Sequence, residues 1–173
     1  ASPGGDALYV ACKQGQPREI RRLLSVGADI EAVNSVEGLT SLMAAAMLGR
    51  VDVVDILLAA QANIRATGTV GFATLALASQ VGHLVIVQRL LASGADVHAV
   101  NNKECTSRGS TALMMASQNG HDPVAQCLLS AGAKVDAAVP DGMTALITAS
   151  KSGHCAVIKT LLSAGADVNA ARN

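Results

Sequence analysis

Apolar and small residues recur along this chain in five similar units, each with a leucine, an alanine three positions later, a glycine and then a Leu-Leu pair. The glycines are Gly15, Gly49, Gly82, Gly120 and Gly153, so successive units lie 34, 33, 38 and 33 residues apart. The other two columns keep the same step: leucine at 8, 42, 75, 113 and 146, and alanine at 11, 45, 78, 116 and 149. So many aligned columns indicate an internal repeat.

The residue pattern of each unit predicts two short helices followed by a turn. In the last unit Thr144 is a predicted N-cap, residues 145–152 form a first helix, and Gly153 ends it in the left-handed conformation. A second helix is expected over about residues 154–163, closed by Gly165, with an apolar stripe along one face. Because isolated helices of fewer than ~12 residues are marginal in water, packing between units must stabilise them.

The units resemble ankyrin repeats, which run for about 33 residues as a turn and two helices. The Gly-His and Gly-Ala-Asp columns carry the resemblance, together with four versions of the family's helix-start motif. These are Thr40-Ser41-Leu42-Met43, Ala73-Thr74-Leu75-Ala76, Thr111-Ala112-Leu113-Met114 and Thr144-Ala145-Leu146-Ile147. The resemblance implies an all-α solenoid of stacked helix-turn-helix units joined by β-turn or hairpin fingers. We expect a single domain over residues 1–173, with repeats at about 1–34, 35–67, 68–100, 101–139 and 140–173.

The two terminal units differ from each other. In the first unit, Glu19 and Arg22 stand where later units have apolar residues, which predicts a charged N-terminal cap. Gly4 is predicted to be the turn glycine of this unit. The last unit shows no such charged face. Either the array continues in a longer protein, which we favour, or threonine and alanine residues, including Thr148 and Thr160, suffice as a weak cap.

Two internal residues and one longer segment depart from the repeat pattern. Gln61 replaces a closing glycine, and Ala73 replaces the threonine that caps the first helix elsewhere. The polar residues 101–108 add length before the fourth unit and predict a projecting loop. Such a loop can carry function or be a neutral insertion.

The composition argues against several functional classes. Thirteen basic and thirteen acidic residues balance, and the only aromatic residues are Tyr9 and Phe72, so no nucleic-acid surface is indicated. No apolar run approaches the ~20 residues of a membrane span, so no membrane insertion is expected. Four cysteines without a spacing motif favour a reducing compartment, and we expect an intracellular, cytoplasmic protein.

The sequence contains no recognisable reaction centre. Three histidines, His83, His121 and His154, share one repeat column at predicted helix starts, and neighbouring units lie ~10 Å apart, too far to share a metal. No cysteine has a partner fixed by sequence, and Cys105 is the most exposed candidate. The sequence therefore predicts no enzyme, no cofactor and no metal.

The resemblance implies that finger tips and first helices line a concave groove that recognises proteins or peptides. The candidate contacts lie beside the turn glycines and at the ends of the first helices. They are Val36, Glu37, Leu39, Met47 and Leu48 in unit two; Thr69, Val70, Phe72, Gln80 and Val81 in unit three; Arg108, Ser110, Gln118 and Asn119 in unit four; and Met143 and Lys151 in unit five.

Units two and three make the apolar end of this groove, so we expect them to anchor an apolar segment of a protein or peptide. Units four and five, with the 101–108 loop, would set its register. The alternative is that these apolar side chains pack on one another within the fingers. The module itself is expected to be a monomer in isolation.

Two other functional readings stay open. The chain could be the ankyrin arm of a larger enzyme, channel or scaffold protein. It could also be a substrate, because Leu161 with Asp167-Val168-Asn169 resembles the finger context in which an asparaginyl hydroxylase modifies the asparagine, here Asn169.

Overall fold

The structure is a computed structural model that describes residues 3–69, 71–101 and 109–170. Within these ranges the chain forms ten α-helices arranged as five consecutive pairs. The pairs are α1 (Pro3–Gln14) with α2 (Pro17–Ser25), α3 (Ser41–Met47) with α4 (Val51–Ala59), α5 (Thr74–Val81) with α6 (Leu84–Ala92), α7 (Ala112–Gln118) with α8 (Asp122–Ser130), and α9 (Ala145–Ser152) with α10 (Cys155–Ser163).

The helices stack in two rows. The first helices of successive pairs, α1, α3, α5, α7 and α9, pack one on the next, and the second helices form a parallel row behind them. Each first helix also packs on the second helix of its own pair. This arrangement confirms the predicted all-α solenoid.

The predicted columns form the core between the two rows. The leucine column at 8, 42, 75, 113 and 146 is at most 9% exposed, and the alanine column at 11, 45, 78, 116 and 149 at most 3%. Because alanine has only a methyl group, it lets neighbouring helices approach closely, while the leucines fill the space between them. The core is therefore a continuous strip along the stack.

The first helices begin with the predicted caps. Thr40, Thr111 and Thr144 each accept a hydrogen bond on the side-chain oxygen from the backbone N–H three residues later, at 3.3 Å in every case. Ala73 occupies the same position before α5 and makes no such bond. The first helix of unit three therefore begins without a side-chain cap.

The fingers are the segments that join one pair of helices to the next. Isolated antiparallel bridges close three of them, between Val33 and Thr40, Val100 and Thr111, and Ala138 and Thr144. The fingers that lead into units two and three, which we call fingers two and three, also touch each other, since Thr69 N–H donates to the Gly38 carbonyl at 2.8 Å.

The first unit corrects one expectation and confirms another. Gly4 lies inside α1 and not in a turn, because α1 already begins at Pro3. The charged face is present as predicted. Arg22 donates two hydrogen bonds to the carboxylate of Glu19, at 2.8 and 2.6 Å, on the exposed side of α2.

The predicted polar loop lies mostly outside the described residues, which exclude 102–108. Its first residue is not solvated as expected, because Asn101 is 1% exposed. Asn101 N–H donates to Ser110 O at 3.0 Å, and Asn101 O accepts from Gly109 N–H at 3.1 Å. The base of this finger is thus a hydrogen-bonded hairpin. In the part of the chain described, no helix combines the length and the apolar character needed to cross a membrane.

Candidate protein-binding groove

Three apolar side chains of the predicted groove are exposed in units two and three. Val36 at a finger tip is 88% exposed, and Leu48 and Val81 are 47% and 42% exposed at the ends of the first helices. Leu48 and Val81 hold the same repeat position in adjacent units, each directly before a glycine. Met47 and Phe72 are half-buried beside them. The structure therefore presents apolar surface at this end.

A small buried cluster lies beneath this surface. It contains Tyr9, Leu39, Met43, Ala44 and Leu77, and the half-buried Met47 and Phe72 pack against it. The expectation that Leu39 faces a partner is wrong, because its side chain is 6% exposed. Leu39 directly precedes the cap of α3, and its carbonyl accepts from Asn34 N–H at 2.9 Å, which holds this residue against the stack.

The alternative that the apolar side chains pack within the fingers thus holds for Leu39 and in part for Met47 and Phe72. It does not hold for Leu48, whose exposed fraction is close to one half, or for Val81. These half-buried and exposed side chains form what we call the apolar patch: Met47, Leu48, Phe72 and Val81.

Glu37 is exposed but already bound within the protein. The Tyr9 hydroxyl donates to Glu37 Oε2 at 2.8 Å, and Lys13 Nζ donates to Glu37 Oε1. Lys13 Nζ also lies 5.6 Å from the centroid of the Tyr9 ring, in cation–π range. The hydrogen bonds from Lys13 and then Tyr9 lower the pKa of Glu37. Burial, followed by the bond to Glu37, raises the pKa of Tyr9.

These contacts close the N-terminal end of the groove with a neutral group of side chains. Tyr9 and Lys13 are absent from the predicted groove residues because those all come from units two to five. Lys13 precedes Gly15 by two positions, as Met47 precedes Gly49. Aligning unit one on its glycine would have identified it.

The C-terminal half of the groove is polar. Gln118 and Asn119 of unit four and Lys151 of unit five are exposed, and Asn119 Nδ2 donates to the Met115 carbonyl at 2.9 Å. Gln80, in unit three beside the apolar patch, is also exposed. The remaining predicted contacts vary: Thr69 is exposed, Ser110 and Met143 are half-buried, and Val70 and Arg108 lie outside the described residues.

The three column histidines are at the predicted helix starts, and each also contacts the preceding unit. Nε2 of His83, His121 and His154 lies 3.1, 3.0 and 3.0 Å from a backbone carbonyl there. The accepting carbonyls belong, in order, to Met47, Gln80 and Gln118, all groove residues. A carbonyl can only accept, so Nε2 carries the hydrogen.

Arg50 takes the same position in unit two and donates from Nη2 to the Lys13 carbonyl at 3.4 Å. The histidines thus fix the groove residues of one unit to the next unit. The histidine column is visible in the sequence, but its role in joining the units is not.

The described side chains offer hydrogen bonds and apolar contacts. Within those residues, no three or more His, Cys, Asp and Glu side chains group closely enough to hold a metal ion. Burial raises the pKa of the Cys12 thiol to about 11, and it also raises the pKa of the half-buried Cys127. Cys155 is exposed, whereas Cys105 lies outside the described residues.

A family profile described as ankyrin repeats (3 copies) matches residues 2–68 and 75–172 of the chain. The two segments together span nearly all of the five helix pairs. A search of curated proteins found no match.

Proposed function

This chain belongs to the ankyrin repeat family, and on that premise we propose that it is a non-catalytic module that binds an apolar segment of a protein or peptide. Ankyrin repeats generally act as protein-interaction modules, and domains built from them are typically non-catalytic. In this proposal the apolar patch is the anchor and the polar half of the groove sets the register of the bound segment.

The observation that carries the proposal is the exposure of Leu48 and Val81 at equivalent positions of adjacent units. Contiguous exposed apolar area marks contact sites, because leaving it in water is unfavourable unless a partner covers it. The half-buried Met47 and Phe72 widen this surface and rest on a packed cluster. A bound apolar side chain would therefore pack against side chains that are themselves held in place by the buried cluster.

Further along the groove, the side chains are suited to hydrogen bonding with the uncharged backbone of a bound peptide. The exposed amides of Gln80, Gln118 and Asn119 offer donors and acceptors for peptide groups. The charges of Lys13 and Glu37 neutralise each other at the opposite end. A low-charge segment with apolar side chains at one end fits this arrangement.

The test compares a groove variant with a control variant, in which exposed leucine or valine residues are replaced by glutamate. Peptides are first selected from a displayed random library for binding to the unchanged protein. The pair Leu48→Glu and Val81→Glu is expected to weaken the selected peptides at least tenfold. The reason is that each lost apolar contact is worth about 1–2 kcal/mol, and 1.4 kcal/mol corresponds to tenfold.

The matched control is Val85→Glu on α6, because Val85 is 48% exposed but lies on a second helix, outside the groove. It should bind the peptides with unchanged affinity, and circular dichroism should show equal helix content for all variants. The proposal would be contradicted if the peptides bound the Leu48→Glu, Val81→Glu double variant as tightly as they bind the unchanged protein.

A second proposal concerns Asn169 as a site of modification. Asn169 is exposed in the last described finger, where its N–H donates to Asp167 Oδ1 at 2.9 Å. Other fingers have the same turn but not the asparagine: Glu31 and His98 donate to Asp29 and Asp96 in the same way. Co-expression with an asparaginyl hydroxylase should add the mass of one oxygen to the peptide that contains Asn169. The absence of that mass shift, or an equal shift in an Asn169→Ala variant, would refute this proposal.

A further inference from the structure

The groove repeats the same pair of positions in each unit, and this regular spacing restricts the conformation of a bound segment. The pair consists of the two residues before the glycine that follows the first helix: Met47 and Leu48 in unit two, Gln80 and Val81 in unit three, and Gln118 and Asn119 in unit four. Because the first helices pack directly on one another, equivalent residues of neighbouring units lie about 8–10 Å apart. The exposed Leu48 and Val81 are therefore two apolar contacts separated by about that distance.

Regular backbone conformations place side chains on one face at different intervals. In a β-strand, residues two and four apart share a face, at about 6.6 and 13 Å. In polyproline II, which has three residues per turn and a rise of about 3.1 Å, residues three apart share a face at about 9 Å. In an α-helix, residues seven apart share a face at about 10.5 Å. A strand thus does not match the two apolar contacts, whereas a polyproline II segment and a helix do.

The amide side chains of the groove distinguish between these two conformations. Gln80 and Gln118 are exposed, and within the described residues neither side chain has a hydrogen-bond partner. A helix satisfies its own backbone groups, so only its side chains could bind these amides. Polyproline II makes no internal backbone hydrogen bonds, so its carbonyls are free to accept from Gln80 Nε2 and Gln118 Nε2. The free amides therefore favour polyproline II.

The same surface suits proline residues between the two apolar contacts. Proline has no N–H, but it keeps the carbonyl that a glutamine amide would bind. The half-buried ring of Phe72 rests on the buried cluster beneath the apolar patch and offers an aromatic surface to a proline ring. Because Lys13 and Glu37 already pair with each other at one end of the groove, a bound segment needs no charge there.

We infer that the groove binds a low-charge polyproline II segment of a partner protein, with apolar residues at positions i and i+3. This inference rests on the proposed function and adds the conformation of the bound segment. One of the two apolar residues contacts Leu48 and the other contacts Val81, with prolines accommodated at i+1 and i+2. Gln80 and Gln118 donate hydrogen bonds to carbonyls of the segment.

The test uses the peptides selected from the displayed library against the unchanged protein. Alanine substitution along each peptide identifies the two apolar anchors, defined as the residues whose loss reduces the difference in affinity between the unchanged protein and the Leu48→Glu, Val81→Glu double variant. The anchors should lie three residues apart. Proline at both positions between them should change the affinity by less than threefold, whereas a helical peptide would lose its conformation and bind at least tenfold more weakly.

A second measurement changes the protein instead of the peptide. Gln80→Ala combined with Gln118→Ala should weaken binding of the proline-substituted peptide at least threefold, because two donors to its carbonyls are lost. The matched control is Gln88→Ala, since Gln88 is an exposed amide on α6, outside the groove. The control should bind the peptide with unchanged affinity.

Three results would each overturn the inference: anchors at a spacing other than three, a loss of threefold or more on proline substitution, or unchanged affinity in the Gln80→Ala, Gln118→Ala variant. The proposed function would still stand in these cases, provided that the peptides bind the Leu48→Glu, Val81→Glu variant more weakly than the unchanged protein. Peptides that bind these two proteins equally would refute the proposed function and this inference together.

Discussion

Gly68 shows how a single backbone position holds two fingers together. Its φ is +56°, and an added Cβ would lie 2.2 Å from the Gly38 carbonyl oxygen. That oxygen also accepts the hydrogen bond from Thr69 N–H. Because the neighbour is backbone, it cannot turn aside as a side chain could. Gly68→Ala is expected to lower the free energy of unfolding by about 2–3 kcal/mol, from strain and a lost hydrogen bond.

The matched control is Gly94→Ala. Gly94 has a φ of +89°, but nothing lies within 4 Å of an added Cβ. It should lose only the ~1 kcal/mol of left-handed strain. Urea denaturation of the two variants gives the comparison, and equal losses would show that the contact between fingers two and three does not stabilise the fold.

Gln61 is the converse case. Its φ is +63°, and no other non-glycine residue in the described chain has a positive φ. Gln61→Gly should therefore raise the free energy of unfolding, by up to ~1 kcal/mol, because the left-handed strain is removed. A raised urea midpoint with an unchanged slope would agree. A lowered midpoint would mean that the Gln61 side chain contributes a contact that outweighs the strain.

At the scale of the helices, the column at the start of each second helix joins the units. His121 donates to the Gln80 carbonyl and covers Gly82, and Arg50 takes the equivalent place in unit two. His121→Ala should destabilise the array by about 1–2 kcal/mol, since one hydrogen bond and its packing are lost. His121→Arg should lose less, because a guanidinium already serves at Arg50.

Thermal and urea unfolding of the two His121 variants would measure this difference. Unfolding that becomes less cooperative in His121→Ala would place the loss at the contact between units three and four. If His121→Arg is as unstable as His121→Ala, the stabilising contact between units three and four depends on the flat imidazole ring and not on the donated hydrogen bond.

Sequence alone predicts the helices well because their ends depend on local chemistry. The first helix of unit five was expected over residues 145–152 and is observed as Ala145–Ser152, between the Thr144 cap and Gly153. The second begins at Cys155, one residue later than expected, with His154 as its N-cap. Gly4 was misplaced because a glycine can occupy a helix as well as a turn. The first described residues, from Pro3, already belong to α1.

Side-chain contacts in the groove were harder to predict because they depend on neighbouring units. Repeat position places Leu39 and Leu48 in the same groove, but only the packed structure shows that Leu39 is buried and Leu48 is exposed. The binding of Glu37 by Tyr9 and Lys13 joins residues from two units, and no local pattern marks it. The repeat boundaries and the contact set as a whole stay predictions.

At the scale of the whole molecule, the groove changes character along the stack. The groove carries apolar side chains at one end and amides toward the other. Changing Leu48 and Val81 should leave the exposed amides of Gln118 and Asn119, in unit four, in place.

The most direct measurement of the central claim is a methyl NMR titration of the labelled protein with a selected peptide. We predict shifts or broadening at Met47, Leu48 and Val81, with Val85 and Leu162 unchanged as reporters of the second-helix row. Saturating binding that moves Val85 or Leu162 while the methyl signals of Met47, Leu48 and Val81 stay in place would contradict it.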